Sequence, residues 1–408
     1  MKQKPGLKSY QYLNQLSLTM QNKSRAIADS HWWCLLVVAL LSILCLAGLV
    51  KPSVGWDVLG YTGSALQMNS SEHIHKRTYE LTEAAFPDDY QALLVDDQDE
   101  RTSTYRSVMA KNASAFQQQL PYYQIRPLYV SMLAMADQFG LSPAKAMVWI
   151  SMVATFGIGC LVYLRLLQAL PALFASLVCC SLLLIFRFQD FAGMTTVDPL
   201  IAVAFIAFVF HFERGLGAFG MLGYIVVMLL IRSNSIIFFT PFIAIGALNH
   251  VGHWSATRLK PLIALGIFVV ALLVMKAIEM HYHNYGWWTV FSFTFIESMN
   301  FPAEFKGTFD LMAYGKVILS EARWLLSDHY VTLFYLTAVV LLTNFILKPA
   351  TRNTPFMLLS SLAFLSIFLG HFLLFPAVLL RFFLPVFLLA SVYAVIGCIG
   401  NPNPVLRQ

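Results

Sequence analysis

Charged residues are scarce in this chain of 408 residues, because 12% are Asp, Glu, Lys or Arg whereas 58% are hydrophobic. A typical soluble protein has about 25% charged residues, and its fold could not bury this much apolar surface. The scarcity of charge therefore excludes an ordinary soluble domain and predicts a polytopic membrane protein.

Motifs for several common chemistries are also missing. The sequence has no glycine-rich phosphate-binding loop, no Ser-His-Asp order and no Cys-x-x-Cys pair. Its six cysteines all fall inside apolar segments, where cysteine acts as a small hydrophobic residue, so no disulfide framework is expected. We find no internal repeat. The net charge of +6 is spread along loops rather than gathered on one face, so no nucleic-acid partner is expected.

Long apolar runs are what the chain does have. Because a helix needs about 20 apolar residues to cross a bilayer, the sequence predicts about ten membrane-spanning helices. Their approximate ranges are 32–50, 144–167, 171–187, 199–213, 217–232, 234–249, 261–278, 330–347, 355–375 and 381–399. The pair at 217–249 could be divided differently around Arg232. The predicted fold class is an all-α polytopic membrane protein, with a single integral membrane domain over residues 1–408.

Lysine and arginine in the loops predict the orientation, since short basic loops stay on the cytoplasmic side. The polar tail over residues 1–31 has five Lys or Arg and one acid, and is expected in the cytoplasm. Two large segments, 51–143 and 279–329, then lie outside. The first is predicted to form short amphipathic helices, with an interfacial or re-entrant helix in "IRPLYVSMLAMADQFG". The second contains "HYHNYGWWTVFSFTFIESMNF", whose aromatic density suits the headgroup region.

Three arginines lie on this outer side against the usual bias, each at the end of an apolar helix. They are Arg187, Arg232 and Arg381. Each alone could snorkel to the headgroups or pair with a nearby acid. Together they predict a cationic cavity for an anionic, phosphorylated membrane ligand, because a guanidinium stays protonated and binds phosphate through two parallel hydrogen bonds. Arg126, just before the interfacial stretch, is a fourth candidate.

Acidic residues lie at the same boundary. Asp57 follows the first helix in "GWDVLGY", and Asp198 opens a later helix in "TTVDPL". A carboxylate held between apolar surface and arginines is suited to act as a base. The alternative for Asp57 is a loop acid facing water. The alternative for Asp198 is an ordinary N-cap before proline.

Other polar residues are candidates for contact with a substrate. They are Tyr61, Tyr129, Asp190 and His371. An ionisable residue inside a membrane segment indicates function by default, but His371 could equally be a satisfied polar group of the bundle. His281 and His283 form only a weak metal pattern with Glu279, so no metal site and no certain cofactor is predicted, although a divalent metal is compatible with the sequence.

Several short motifs resemble the GT-C superfamily of integral membrane glycosyltransferases. "YYQIRPLYVSMLA" resembles the pattern that closes the first outer loop in the protein O-mannosyltransferase and lipid A aminoarabinose transferase branch. "TTVDPLIAVAFIAF" is similar to the acid–proline opening of a later helix in that branch. "LLIRSNSIIFFTPF" is similar to its basic, small-residue turn, and "RFFLPVFLL" to its late arginine, aromatic, proline helix. The resemblance follows the order of elements across most of the chain.

This resemblance implies an inverting transfer of a sugar from a polyprenyl-phosphate donor to a glycan, lipid or protein acceptor. The reaction would take place on the extracytoplasmic face of a membrane, and the bacterial inner membrane is expected. Asp57 matches the general base and Asp198 the second acid. The matches to the basic positions near the donor phosphate are Arg126, Arg232 and Arg381. One departure is that Val58 follows Asp57, where many members have two adjacent acids.

Two other functions stay open on the sequence. A secondary transporter would bind near the midplane and would usually show repeated halves or broken helices in matching positions. An O-antigen polymerase or ligase would also have outer arginines. Its largest loop comes late in the chain, whereas the first outer segment is the larger one here.

Overall fold

The computed structural model describes residues 31–95, 100–252, 257–297, 299–325, 354–377 and 379–399. Within these ranges the chain is all-helical and contains no strand. The predicted all-α class is therefore confirmed for the described residues. A single backbone bridge between Ser53 and Met194 is the one β-like contact in this part of the chain.

The chain begins with a long apolar helix, α1 (His31–Val50), followed by short helices. The short helices are α2 (Asp57–Met68), α3 (Ile74–Ala85), α4 (Pro87–Leu94), α5 (Glu100–Lys111), α6 (Ala113–Gln119), α7 (Pro121–Gln124) and α8 (Pro127–Gln138). They fill the predicted outer segment 51–143, which is thus built of short helices as expected. Helix α8 covers the stretch predicted to be interfacial or re-entrant and packs against α2. Its depth in a bilayer stays a prediction.

The middle of the chain forms a series of apolar helices. They are α9 (Pro143–Leu167), α10 (Ala172–Ile185), the short α11 (Phe188–Ala192), α12 (Asp198–Gly215), α13 (Ala218–Ile231), α14 (Ile236–Gly252) and α15 (Pro261–His281). A 3₁₀ turn over Ser233–Ser235 separates α13 from α14. The predicted pair at 217–249 is therefore divided directly after Arg232.

The second predicted outer segment and the end of the chain are also helical. Their helices are α16 (Trp287–Phe291), which continues as a π-helix over Ser292–Ile296, then α17 (Leu311–Leu325), α18 (Thr354–Leu374) and α19 (Leu380–Ile399). The predicted span at 330–347 lies outside the described residues, as do residues 1–30 of the predicted tail.

Four described helices are long and apolar enough to cross a membrane, namely α1, α9, α15 and α19, which is consistent with a membrane protein. Others fall short by length, since α10 and α13 have 14 residues each. A helix of that length rises only about 21 Å, less than the hydrocarbon core of about 30 Å. The predicted count of about ten spans is therefore not confirmed.

Helix α12 packs against α9, α13 and α19 and lies at the centre of the bundle. Its rings of Phe205, Phe208 and Phe212 contact the ring of Phe242 in α14, with centroids 5.9, 5.6 and 5.3 Å apart. Aromatic pairs at such separations stabilise helix packing beyond the area that they bury. The interlocked rings fix α12 within the bundle, and its first residue, Asp198, is fixed with it.

Candidate functional site

Asp57 is the first residue of α2, and Trp56 occupies the N-cap position without a side-chain cap. The Asp57 carboxylate contacts other elements instead. Its Oδ2 accepts a hydrogen bond from Arg381 Nη1 at 3.1 Å, and its Oδ1 accepts one from Tyr123 Oη at 3.4 Å. The side chain keeps an exposure of 31%. Asp57 is thus anchored by two partners rather than free in water, and it remains reachable from solvent.

Asp198 is the first residue of α12, and the N-cap position belongs to Val197. Its Oδ1 accepts a hydrogen bond from Arg232 Nη1 at 2.7 Å, and its Oδ2 accepts one from Thr196 Oγ1 at 2.8 Å. Asp198 is 3% exposed. The structure therefore uses this carboxylate to bind a buried arginine rather than to cap its own helix.

Arg381, in the first turn of α19, lies between the two acids. Its Nη1 binds Asp57, and its Nε lies 3.8 Å from Asp198 Oδ2, which is too far for a hydrogen bond. The Cζ atoms of Arg381 and Arg232 lie 4.9 and 5.0 Å from the ring centroid of Phe382. An aromatic face attracts a cation at such distances. Phe382 thus contacts both arginines.

Arg126 precedes α8 and is surrounded by tyrosines. Its Cζ lies 5.2 Å from the ring centroid of Tyr61 and 5.9 Å from that of Tyr123. Its Nη1 donates a hydrogen bond to the backbone oxygen of Tyr122 at 3.0 Å. Tyr129 packs edge-on against Tyr61, with centroids 4.9 Å apart. The tyrosines therefore fix the position of the Arg126 guanidinium.

The charges on Arg126 and its neighbouring tyrosines follow from their surroundings. Burial raises the pKa of the Tyr61 and Tyr129 phenols, so both are neutral at physiological pH. Burial lowers the pKa of the Arg126 guanidinium, whereas the carboxylates of Asp57 and Asp198 raise it, and the net shift is upward. Arg126 therefore stays cationic and its charge acts on both carboxylates.

Five residues form what we name the acid–arginine cluster. They are Asp57, Asp198, Arg126, Arg232 and Arg381. Three guanidiniums face two carboxylates, which leaves one positive charge uncompensated within the cluster when all five are ionised. The Nε atoms of all three arginines are buried without a hydrogen-bond partner in the described part of the chain. Because an unpaired buried donor is costly, an anion with several acceptor oxygens would fit here.

Backbone contact between two connections sets the distance between the acids. Ser53 N donates a hydrogen bond to Gly193 O at 2.9 Å, and Gly55 N donates one to Thr195 Oγ1 at 3.2 Å. A Cβ on Gly193 would lie 2.7 Å from Gly48 O. Only glycine permits this approach. The connection that leads to Asp57 is thereby fixed to the one that leads to Asp198.

His371 lies in α18 beside the cluster and is 3% exposed. Its ring packs against Phe382 and Phe383, with centroids 5.3 and 4.8 Å apart. Neither ring nitrogen has a hydrogen-bond partner among the described residues. Within the described part of the bundle His371 is therefore not a satisfied polar group, and its role as a substrate contact stays a prediction.

Two predicted site residues are not brought into the cluster. Arg187 Nη2 forms an ion pair with Asp190 Oδ2 at 2.6 Å, three residues along the chain, with side chains 60% and 37% exposed. Pairing with a nearby acid was the alternative that the sequence left open for each of the three arginines, and Arg187 follows it. The other eight predicted residues lie in the cluster or beside it. Tyr61 and Tyr129 are buried behind Arg126, and their contact with a substrate stays a prediction.

Sequence reasoning missed several residues that position the acids. Tyr123 and Thr196 bind Asp57 and Asp198 directly. Tyr123 stands three residues before Arg126, a spacing that places both on one side of a helical turn. Thr196 stands two residues before Asp198, where a hydroxyl commonly bonds to a neighbouring polar group. Both spacings could have pointed to these residues.

Comparison with known proteins adds no assignment. No protein family model, no curated protein and no solved structure matches this chain. Among the described residues, no group of three or more His, Cys, Asp or Glu side chains could hold a metal ion. The likeness to the GT-C superfamily therefore rests on short motifs and stays a prediction.

Proposed function

We propose that this protein is an integral membrane glycosyltransferase of the GT-C type. It would transfer a sugar from a polyprenyl-phosphate donor to an acceptor on the extracytoplasmic face of a bacterial inner membrane, with inversion. One observation carries the proposal: a chain of ion pairs joins Asp57 to Arg381 at 3.1 Å, Arg381 to Asp198 at 3.8 Å and Asp198 to Arg232 at 2.7 Å. Asp198, Arg232 and Arg381 come from three separate motifs that carry the GT-C resemblance, and Asp57 matches its general base.

The arginines would hold the phosphate of the donor. As the bond between the sugar and the phosphate breaks, the electron pair stays on the phosphate oxygen and negative charge builds up there. Fixed guanidiniums stabilise this charge without reorganising, and such stabilisation is usually the largest contribution to catalysis. Arg232 and Arg381 both contact the ring of Phe382 and would supply two cations. The excess positive charge of the acid–arginine cluster supports this role.

Asp57 would act as the general base. It takes the proton from an acceptor hydroxyl or amine, and the acceptor then attacks the sugar carbon on the face opposite the departing phosphate. The side chain of Asp57 is 31% exposed and that of Asp198 only 4%, so an acceptor from solvent reaches Asp57 more easily. A positioned base contributes about 10²- to 10⁴-fold to the rate. Asp198 then holds Arg232 in place beneath it.

The experiment combines lipid analysis with an assay of the purified protein. Mass spectrometry of cells that lack the protein should show an accumulated polyprenyl-phosphate sugar. The protein in nanodiscs should consume that lipid, and Asp57→Asn should lower the turnover by about 10²-fold or more while the protein stays folded. Asp190→Asn is the matched control, because it removes an outer carboxylate that pairs with an arginine outside the cluster.

Two results would contradict the proposal. Normal turnover by a folded Asp57→Asn protein would show that Asp57 is not the base. Unchanged lipid-linked sugars in cells without the protein, together with solute uptake by proteoliposomes that contain no lipid donor, would favour a secondary transporter.

A further inference from the structure

If the proposed function holds, the guanidinium of Arg381 has two binding partners. The donor phosphate needs this guanidinium, and in the structure Asp57 Oδ2 already accepts a hydrogen bond from Arg381 Nη1 at 3.1 Å. Asp57 also has two tasks. It would accept the proton of the acceptor, yet its Oδ2 already accepts a hydrogen bond from Arg381 and its Oδ1 one from Tyr123. The same ion pair therefore restrains both the phosphate site and the base.

We propose that the donor phosphate and the Asp57 carboxylate compete for Arg381, so that donor binding releases Asp57 to act as the base. The inference rests on the proposed function and adds an order to it: the donor binds first, and the acceptor can be deprotonated only afterwards. No covalent step is added, since one acceptor of the Arg381 hydrogen bond replaces another.

Solvent exposure indicates which ion pair, Asp57–Arg381 or Asp198–Arg232, a phosphate would open. The side chains of Asp57 and Arg381 are 31% and 27% exposed, whereas those of Asp198 and Arg232 are 4% and 9% exposed. A partly exposed ion pair contributes little and is easily replaced. A phosphate can bind a guanidinium through two charge-assisted hydrogen bonds, which are stronger. The outer pair is therefore the one that a ligand opens, while the inner pair stays closed.

The neighbouring residues keep both partners in place after the exchange. Arg381 Nε lies 3.8 Å from Asp198 Oδ2, so Asp198 continues to attract Arg381 when Asp57 is released. Tyr123 Oη lies 3.4 Å from the other oxygen of Asp57, Oδ1. Asp57 therefore keeps a hydrogen-bond donor that does not involve Arg381. The released carboxylate stays where an acceptor would reach it.

A double-mutant cycle tests the competition without any sugar transfer. The probe is a polyprenyl monophosphate that lacks a sugar, and its Kd is measured with the full chain in nanodiscs. Arg381→Gln should weaken binding by about tenfold or more, because a charge-assisted contact is lost. Asp57→Asn should tighten binding by about tenfold, because the competing carboxylate is gone. In the Arg381→Gln background, Asp57→Asn should change the Kd less than about twofold.

The cycle separates the inference from the proposed function. If Asp57→Asn tightens binding equally with and without Arg381, the effect is general charge repulsion and the competition is wrong. If Asp57→Asn does not tighten binding at all, the competition is also wrong. If Arg381→Gln leaves the Kd unchanged, the phosphate site of the proposed function fails instead. Asp57→Ser replaces Asp57→Asn if the latter does not fold, and Asp190→Asn should leave the Kd unchanged.

Discussion

Helix α12 carries an acid near each end, and the two acids have different surroundings. Asp198 is its first residue, and Glu213 is the third from its end. The two lie about 22 Å apart along the axis. Glu213 accepts two hydrogen bonds from Arg165, from Nε at 2.9 Å and from Nη2 at 2.6 Å, and a third from Tyr393 Oη at 3.0 Å.

The two ends differ in charge balance. At Glu213 one carboxylate faces one guanidinium in a two-point contact, so the charges cancel. In the acid–arginine cluster three guanidiniums face two carboxylates, and their Nε atoms have no hydrogen-bond partner in the described residues. An ion pair whose role is to join two helices needs no uncompensated charge. An excess of one sign with unpaired donors is instead typical of a site that binds a ligand.

The two ends of α12 should differ most in their effect on sugar transfer, when both partners of one ion pair are replaced by apolar residues. We expect Asp198→Leu with Arg232→Met to lower sugar transfer by about 10²-fold or more, because the stabilisation of phosphate charge is lost. Arg165→Met with Glu213→Leu should leave transfer within about twofold. The measurement is kcat/KM with the polyprenyl-phosphate sugar. Both double variants should fold, since apolar replacement of a whole ion pair is often neutral, and thermal unfolding is the control. Similar losses of kcat/KM in both double variants would contradict the proposed difference between the two ends of α12.

Removal of one partner of an ion pair should cost more stability at the Glu213 end of α12 than in the acid–arginine cluster. Arg165→Met leaves Glu213 without its cation, with side chains that are 11% and 25% exposed in the pair, so we expect the free energy of unfolding to fall by about 3 kcal/mol. Arg381→Gln opens a more exposed pair and should cost about 1 kcal/mol or less. Denaturant unfolding in detergent measures both. Adding Glu213→Leu to Arg165→Met should restore most of the loss, and a failure to do so would contradict a purely structural pair.

The sequence predicted these residues near one membrane boundary but could not tell which of them meet. Arg187 and Arg232 both end apolar helices, yet Arg232 turns inward to Asp198 and Arg187 binds Asp190 at the surface. The pairing of Arg187 could have been predicted, because Asp190 follows it by three residues, although Arg187 itself is the N-cap residue of α11. The pairing of Arg381 with Asp57 joins α19 to α2 across 324 residues of sequence, and no local pattern records such a contact.

The fold was predictable in class but not in the number of spans. Apolar composition identified the helices of the bundle, because every such segment must satisfy its own backbone in a membrane. Composition did not show where each helix ends. Helix α13 ends at Ile231, before Arg232, and has 14 residues, so a window of apolar residues overstated its length. The contact between Gly48 in α1 and Gly193 was also missed, since a close approach of two backbone segments leaves only isolated glycines in the sequence.

A smaller change should disturb Asp57 through its neighbour. A Cβ on Gly60 in α2 would lie 2.2 Å from the ring of Tyr123, which binds Asp57. We expect Gly60→Ala to shift that ring, to lower the free energy of unfolding by about 1–3 kcal/mol and to reduce kcat. Gly223→Ala is the matched control, because a Cβ there meets nothing within 4 Å, and it should be neutral or stabilising. Equal effects of the two substitutions would contradict the role of Tyr123.

Substitution of His371 should raise stability rather than lower it. Its buried ring nitrogens have no hydrogen-bond partner among the described residues, so His371→Met should raise the free energy of unfolding by about 1 kcal/mol. The same substitution should weaken binding of a polyprenyl monophosphate if the ligand pairs with the ring. Thermal unfolding and the Kd measure the two effects. His371→Gln keeps a donor and an acceptor and should retain more of the affinity. A loss of stability in His371→Met would show that the ring already has a structural partner.

A last effect, small at pH 7, concerns stability at alkaline pH. Burial raises the pKa of the Tyr129 phenol, and its hydroxyl has no hydrogen-bond partner in the described part of the chain. Above pH about 10 the unfolded chain loses this proton while the folded chain keeps it, so stability is present below that pH and falls as pH rises, by up to about 1.4 kcal/mol per pH unit. Tyr129→Phe should therefore make the decline between pH about 10 and 11 shallower, with little change at pH 7. Unfolding by denaturant at each pH measures the slope, and an unchanged slope would show that Tyr129 is ionised in the folded protein.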